Sequence, residues 1–185
     1  MRIIAGTLKG RNLAAPPGRD VRPTSDSLRE TLFNVLGDLI VEARVLDAFA
    51  GTGAIGLEAL SRGARQVTFI ERDARAIRAL SENIRSCGVP DACAIIRHDF
   101  LSARITGAFD LVIADPPYDM ASLDETVTRG AGWLAEHGRL VLEHSKRRVA
   151  PETAGPLRRS RTLTAGDSAL SFYERPAGAP FIEEA

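Results

Sequence analysis

The sequence predicts an α/β fold: a mostly parallel sheet with one antiparallel hairpin at its C-terminal end. Three observations lead there. Short apolar runs alternate with helix-period segments between residues 45 and 143, the pattern of right-handed βαβ units. Gly51-x-Gly53-x-x-Gly56 stands between the first such run and the helix that follows it. The last two strand-like segments are joined only by Thr164-Ala165-Gly166-Asp167-Ser168, whose turn formers suit a hairpin.

Each element has its own warrant. Arg2-Ile3-Ile4-Ala5 and Arg11-Asn12-Leu13-Ala14 read as two short strands, bracketed by Gly6 and Gly10. Pro16-Pro17-Gly18 ends that small unit, and Pro23 keeps Arg22 extended. A helix follows, with Ser27-Leu28-Arg29-Glu30 as a capping box, or Asp26 or Ser25 as the cap. Its buried stripe is Leu28, Leu32, Val35, Leu36 and Leu39. Residues 45–49 form the first buried strand and lead into the glycine loop. The helix through Leu57, Ala59 and Leu60 stops at Gly63. Residues 66–70 are the second strand. A helix with Ile77, Leu80, Ile84 and Cys87 on one face ends at Gly88. Residues 93–96 and 109–114 are the third and fourth strands. Leu123, Val127, Ala131 and Leu134 keep helical step, and residues 138–143 are the fifth strand. Residues 158–163 and 169–174 make the closing hairpin.

The 185 residues suit one domain with a small appendage: residues 1–20 as an N-terminal hairpin extension, 21–176 as the main domain, 177–185 as a frayed tail. No apolar run reaches membrane-spanning length and the N-terminus lacks a signal-peptide core, so a cytoplasmic monomer is expected. Cys87 and Cys93 form neither a metal pattern nor a disulfide framework. His98, His137 and His144 share no spacing and are expected at the surface or in turns; no metal is expected. Net charge is +0, so any nucleic-acid contact must come from local clusters. Arg2, Lys9, Arg11, Arg19, Arg22 and Arg29 form one such cluster near the N-terminus, opposed only by Asp20 and Asp26. Lys146, Arg147, Arg148, Arg158, Arg159 and Arg161 form another. An Arg-rich composition throughout the chain would produce similar runs without any phosphate contact.

The chemistry concentrates in two stretches. Asp115-Pro116-Pro117-Tyr118 follows the fourth strand, at the carboxyl end where open α/β sheets place ligands. Two prolines stiffen the turn and aim its carbonyls outward. A carboxylate and a carbonyl can then hold one amino group while Tyr118 stacks on a flat ring. The glycine loop permits close approach of a ligand to the backbone, and Glu71, about twenty residues on, can accept from ribose hydroxyls. The loop alone fits a nicotinamide cofactor as well as S-adenosylmethionine. Asp47, just before the glycines, repels a pyrophosphate but suits a cationic sulfonium and an α-amino group. Asp99 ends the third strand, where it can accept from an adenine amine.

Asp47 to Gly56, Glu71, Asp99 and Asp115-Pro116-Pro117-Tyr118 together resemble a Rossmann-like class I methyltransferase acting on amino groups. Arg2-Ile3-Ile4-Ala5-Gly6, Lys9-Gly10-Arg11-Asn12-Leu13, Arg22-Pro23-Thr24-Ser25-Asp26 and Arg29-Glu30-Thr31-Leu32-Phe33-Asn34 narrow the resemblance to the RsmD family, over residues 1–174. The resemblance implies methylation of a guanine N2 in bacterial 16S ribosomal RNA, within the small subunit or an assembly intermediate. It also implies a seven-stranded sheet and S-adenosylmethionine as methyl donor. Ala50, Gly51, Thr52 and Gly53 would lie under the donor, with Asp47 at its amino end. Glu71 and Arg72 would stand at its ribose, Asp99 and Phe100 at its adenine, and Thr24 near its carboxylate. Ala5-Gly6-Thr7-Leu8 departs from the family pattern of two glycines and an aromatic, which bears on one packing or RNA contact only.

Three other readings remain open. An adenine-N6 DNA methyltransferase shares the tetrapeptide, although no segment here is large enough for target recognition. A non-catalytic ribosome-assembly factor would keep the fold without needing Asp115 and its prolines. An NAD-dependent oxidoreductase is disfavoured by Asp47.

Overall fold

The computed structural model describes residues 1–15, 26–117 and 122–176. The chain divides into two compact units, Met1–Ala103 and a second that begins at Arg104. Arg19, Arg22, Thr24, the Pro16-Pro17-Gly18 turn, Tyr118 and the tail from 177 lie outside the described residues.

The first unit opens with the expected hairpin, in reduced form. Arg2 and Asn12 make a single antiparallel bridge. Ile3 N–H donates to Arg11 (3.0 Å), Gly10 N–H to Ile3 (2.9 Å) and Leu13 N–H to Met1 (2.9 Å). Helix α1 spans Asp26–Leu36. Ser27 therefore lies inside the helix rather than capping it, and its carbonyl accepts from Thr31 Oγ1 at 2.9 Å. The expected stripe also fails at its end, where Leu39 is 53% exposed. A 3-10 turn over Gly37–Ile40 shortens the period there, so Ile40 turns inward in place of Leu39.

Strand β1 (Arg44–Asp47) pairs in parallel with β2 (Gln66–Ile70), and β2 with β3 (Cys93–Ile96). Helix α2 (Ala54–Ser61) is buried along its whole length. Helix α3 (Ala74–Cys87) is amphipathic and well bounded. Asp73 Oδ1 accepts from the N–H groups of Arg75 (2.8 Å) and Ala76 (3.0 Å), and Gly88 stops the helix at φ +73°. Burial pushes the Cys93 thiol up to about 12, with nearby Cys87 adding to the effect.

Buried charge fastens the N-terminal segment to α2. Glu58 is fully buried, and its carboxylate accepts from Ile4 N–H (2.7 Å), Ala5 N–H (3.0 Å) and Arg62 Nε (2.7 Å). Ser61 accepts from Leu8 N–H at 2.9 Å and donates to the Ala5 carbonyl. Arg29 is also fully buried, donating through Nη2 to the Arg2 carbonyl (2.9 Å) and to Asp26 (2.8 Å). Burial lowers its pKa, while Asp26 and Glu58 pull the other way. A buried charge is tolerated only when paired in this manner.

In the second unit, β4 (Phe109–Ala114) pairs in parallel with β5 (Leu134–Ser145), with helix α4 (Leu123–Ala131) between them in sequence. Leu134 was expected to close the helical stripe but opens β5. The helix ends before Gly132, and Phe109 N–H donates to the Trp133 carbonyl at 2.8 Å, starting the strand pair. β5 then pairs antiparallel with β8 (Ser168–Glu174), and β8 with β7 (Leu157–Ala165), which is the expected closing hairpin. The expected seven strands are present, and β6 (Thr153–Ala154) adds a two-residue eighth among the described residues.

His144 corrects a further expectation. It is buried, not at the surface, because it ends the buried stretch of β5 that runs from Leu140. Its Nε2 lies 2.9 Å from Ser171 Oγ and its Nδ1 3.0 Å from the Ser145 carbonyl.

Candidate functional site

In the first unit β1, β2 and β3 run parallel, so their carboxyl ends share one edge. Asp47, Glu71 and Asp99 stand at or just beyond those ends, and each already holds backbone. Asp47 is buried and accepts from Gly56 N–H at 2.9 Å, which fixes the first turn of α2 against β1. Glu71 is half-buried. Its Oε2 accepts from Gly51 N–H (2.8 Å), and its Oε1 from the N–H groups of Arg72 and Asp73 (both 2.8 Å). A carboxylate offers about four lone-pair sites, so capacity for a hydroxyl remains. Asp99 accepts from Arg72 Nη1 at 2.8 Å and from Leu101 N–H at 3.0 Å.

The glycines separate by role. Gly51 has φ +54°, and a Cβ there would meet nothing within 4 Å. Gly53 has φ +81°, and its Cβ would overlap Leu80 Cδ1. A Cβ on Gly56 would overlap the Phe69 ring. Gly53 and Gly56 therefore serve packing, while Gly51 leaves open space above the loop. The loop is braced from both sides. Gly53 N–H donates to Ala50 (2.7 Å), and Ala50 N–H donates to Ile70 (3.0 Å). Thr52 is buried, and its carbonyl accepts from Asn83 Nδ2 at 2.9 Å. The rings of Phe100 and Phe49 lie 4.7 Å apart at 38°. Open space at Gly51, three carboxylates at one edge and an aromatic pair beside Asp99 fit a cationic, ribose-bearing, adenine-bearing donor. A buried carboxylate at the head of the loop does not fit a pyrophosphate.

The second unit holds the candidate acceptor motif. Asp115, Pro116 and Pro117 follow β4 directly; Asp115 is half-buried, Pro116 buried and Pro117 exposed. Among the candidate basic residues, Arg2, Lys9 and Arg11 are exposed, and Arg11 Nη1 is anchored on the Ser86 carbonyl at 2.6 Å. Part of the second basic cluster serves the hairpin instead. Lys146 pairs with Asp167 (3.4 Å), Arg158 with Glu152 (3.6 Å), and Arg159 donates to the Ala150 carbonyl (2.6 Å).

Two residues that position this site escaped the sequence reading. Asn83 is buried and joins the Thr52 carbonyl to the N-terminal segment, accepting from Ala14 N–H at 2.7 Å. Glu58 holds that segment from the other side. Each is a polar residue inside an apolar helical stripe, which is the signal that could have found them.

Comparison with known proteins adds the following. The family model described as conserved hypothetical protein 95 matches residues 1–174. Ribosomal RNA small subunit methyltransferase D of Escherichia coli strain K12 is 37% identical over 181 residues, covering 96% of this chain and 91% of the relative. The protein of that name from Haemophilus influenzae is 35% identical, covering 82% and 83%. A solved Escherichia coli structure described as a candidate methyltransferase, yhhF, superposes with a TM-score of 0.84 at 36% identity, covering 96% of this chain and 98% of its own. An RNA methyltransferase from Salinibacter ruber, solved with S-adenosyl-L-homocysteine, shares the fold at a TM-score of 0.65 and 17% identity, covering 88% and 99%. The fold is that of a Rossmann-like class I methyltransferase.

Proposed function

Because the chain belongs to the RsmD family, we propose that it transfers a methyl group from S-adenosylmethionine to the exocyclic N2 amine of a guanine in 16S ribosomal RNA. The observation that carries this reading is Asp115-Pro116-Pro117 at the carboxyl end of a buried parallel strand, in a chain whose relatives are ribosomal RNA methyltransferases. The substrate is the small subunit or an assembly intermediate. No helix among the described residues is long and apolar enough to cross a membrane. We infer that the enzyme acts as a monomer in the cytoplasm, where its ribosomal substrate is made.

When bound, S-adenosylmethionine supplies an electrophilic methyl group on a cationic sulfonium. Ala50, Gly51, Thr52 and Gly53 would carry its methionine and ribose moieties, with Asp47 toward the amino end and Thr24 toward the carboxylate. Glu71, steadied by three backbone N–H groups and flanked by Arg72, would accept from the ribose hydroxyls. Asp99 and Phe100 would frame the adenine.

The acceptor amine is a poor nucleophile, because its lone pair is delocalised into the base. Asp115 and the Pro116 carbonyl accept its two N–H groups. That rotates the amine and directs its lone pair outward. Pro117 keeps the turn stiff, and Tyr118 stacks on a base drawn out of its own stack. Positioning therefore supplies most of the rate gain. Asp115 or water takes the released proton. Arg2, Lys9, Arg11 and Arg19, on the extension over residues 1–20, and Arg22 just beyond it contact phosphates.

The test is transfer of labelled methyl to small subunits from cells lacking this activity, with naked 16S RNA and duplex DNA alongside. N2-methylguanosine in the digest is expected. N6-methyladenine from DNA would overturn the reading. Donor binding without label in any substrate would replace it with a non-catalytic assembly role.

A further inference from the structure

The outer face of α3 carries a groove of about 470 Å³ lined by Ala74, Ile77, Arg78, Ser81, Glu82, Arg85 and Arg97. Three guanidiniums face it against one carboxylate. Among the described residues neither Arg78 nor Arg97 makes an ion pair or a side-chain hydrogen bond, and Arg85 makes only a 3.3 Å bond to the Ser81 carbonyl within its own helix. Unpaired cations held side by side repel one another and are best explained by an anion that comes from outside. Donor chemistry identifies that anion. Guanidinium forks match phosphate oxygens, and several along one groove match a polyanion rather than a single small ion.

Position agrees. Ala74 lies three residues beyond Glu71, and Arg97 lies just past the end of β3, two residues before Asp99. The groove thus starts at the edge that carries the donor-site carboxylates and runs along α3 to Arg85, a helical rise of about 16 Å. The last turn of the same helix anchors Arg11, one of the exposed N-terminal cations, through the Ser86 carbonyl. A basic path therefore continues from the N-terminal segment onto α3.

We propose that this α3 groove binds the phosphate backbone of the ribosomal RNA substrate, with Arg78 and Arg97 as its principal contacts. The proposal rests on the reading of the substrate as 16S ribosomal RNA. Glu82, the groove's one carboxylate, acts against binding.

The experiment measures affinity of the full chain for small subunits across a salt series, for wild type, the Arg78→Gln/Arg97→Gln pair, the Arg78→Lys/Arg97→Lys pair and Glu82→Gln. Two lost phosphate contacts should reduce the log–log salt slope by about 1.4, so that the affinity lost between 50 and 200 mM salt shrinks about sevenfold. The lysine pair should keep most of the slope, and Glu82→Gln should tighten binding, which no folding defect would produce. Affinity for S-adenosylmethionine should be unchanged throughout. A glutamine pair with wild-type affinity and slope overturns the groove while methyl transfer by the wild type leaves the substrate reading intact. A wild type that labels no ribosomal RNA overturns the substrate reading, and the salt slope of the glutamine pair still decides the groove.

Discussion

The two units place their chemistry in opposite ways. In the first, the candidate donor site is scattered from Asp47 to Phe100, and hydrogen bonds to backbone knit it together. In the second, the candidate acceptor site is one run, Asp115 to Tyr118, whose shape comes from two prolines. A scattered site makes each of its residues part of the fold, whereas a local motif can change without unfolding its surroundings. Substitutions in the first unit should therefore mix stability with donor affinity. Substitutions in the second should separate turnover from both.

Asp115→Ala is the strongest test of that contrast. Turnover should fall by roughly a hundredfold or more, the scale attached to losing the alignment of reacting groups. Melting temperature and affinity for S-adenosylmethionine should stay near wild type. A large drop in either would show that Asp115 is woven into the fold as the donor site is, and the contrast would fail. Glu71→Ala should behave in the mixed manner. It removes the acceptor shared by the N–H groups of Gly51, Arg72 and Asp73, so stability should fall by about 1–3 kcal/mol. Donor affinity should fall with it, roughly tenfold. Unchanged affinity measured by calorimetry would remove Glu71 from the ribose.

The glycine loop sharpens the comparison inside the first unit. Gly53→Ala forces a Cβ into Leu80 at a left-handed φ of +81° and should cost about 2–4 kcal/mol, since overpacking and backbone strain add. Gly51→Ala meets open space and pays only for its φ of +54°, about 1 kcal/mol, yet it should hurt donor binding more. Equal affinity losses in the two variants would mean that the space at Gly51 is not where the donor lies.

Much of this was legible in advance, for identifiable reasons. β2, β3 and β4 fall on the residues their apolar runs mark, because parallel strands carry their signal in four to six contiguous residues, even in β3, which is only partly buried. Gly88 stops α3 by local chemistry that needs no tertiary context. Several of the misses depend on a distant partner, and the others on a local change of period. Leu134 keeps helical step but is captured by Phe109 in the neighbouring strand. Leu39 keeps step too, until a 3-10 turn changes the period. Arg29 reads as one of the N-terminal cations available to phosphates, but it is fully buried; its burial, and that of Glu58, follows from where the N-terminal segment docks. In the site itself, Asp47 and Glu71 were visible as candidate ligands, but their bonds to Gly56 and Gly51 were not.

The smallest effect concerns protons, and it should belong to the second unit alone. His144 is buried in β5, and that burial lowers its pKa below the ordinary 6.5; bonds to the backbone of Ser145 and Arg148 oppose the shift without reversing it. The folded protein therefore prefers the neutral ring, while the unfolded chain takes up a proton near the ordinary value. Below that value the unfolded state binds more protons than the native state, so the ring's contribution is complete above about pH 6.5 and is lost as pH falls toward the depressed folded pKa. His144→Gln can keep a hydrogen bond to Ser171 but has no proton to gain. Its melting temperature should lie below wild type at neutral pH, with the gap closing as pH is lowered. A constant gap would show that His144 titrates alike in both states. Affinity for S-adenosylmethionine should follow the same pH profile in both proteins, because every candidate donor-site residue among those described lies in the first unit. A divergence there would mean that the protonation of β5 is felt at the donor site, and that the two units differ less in how they are tied together than their hydrogen bonds indicate.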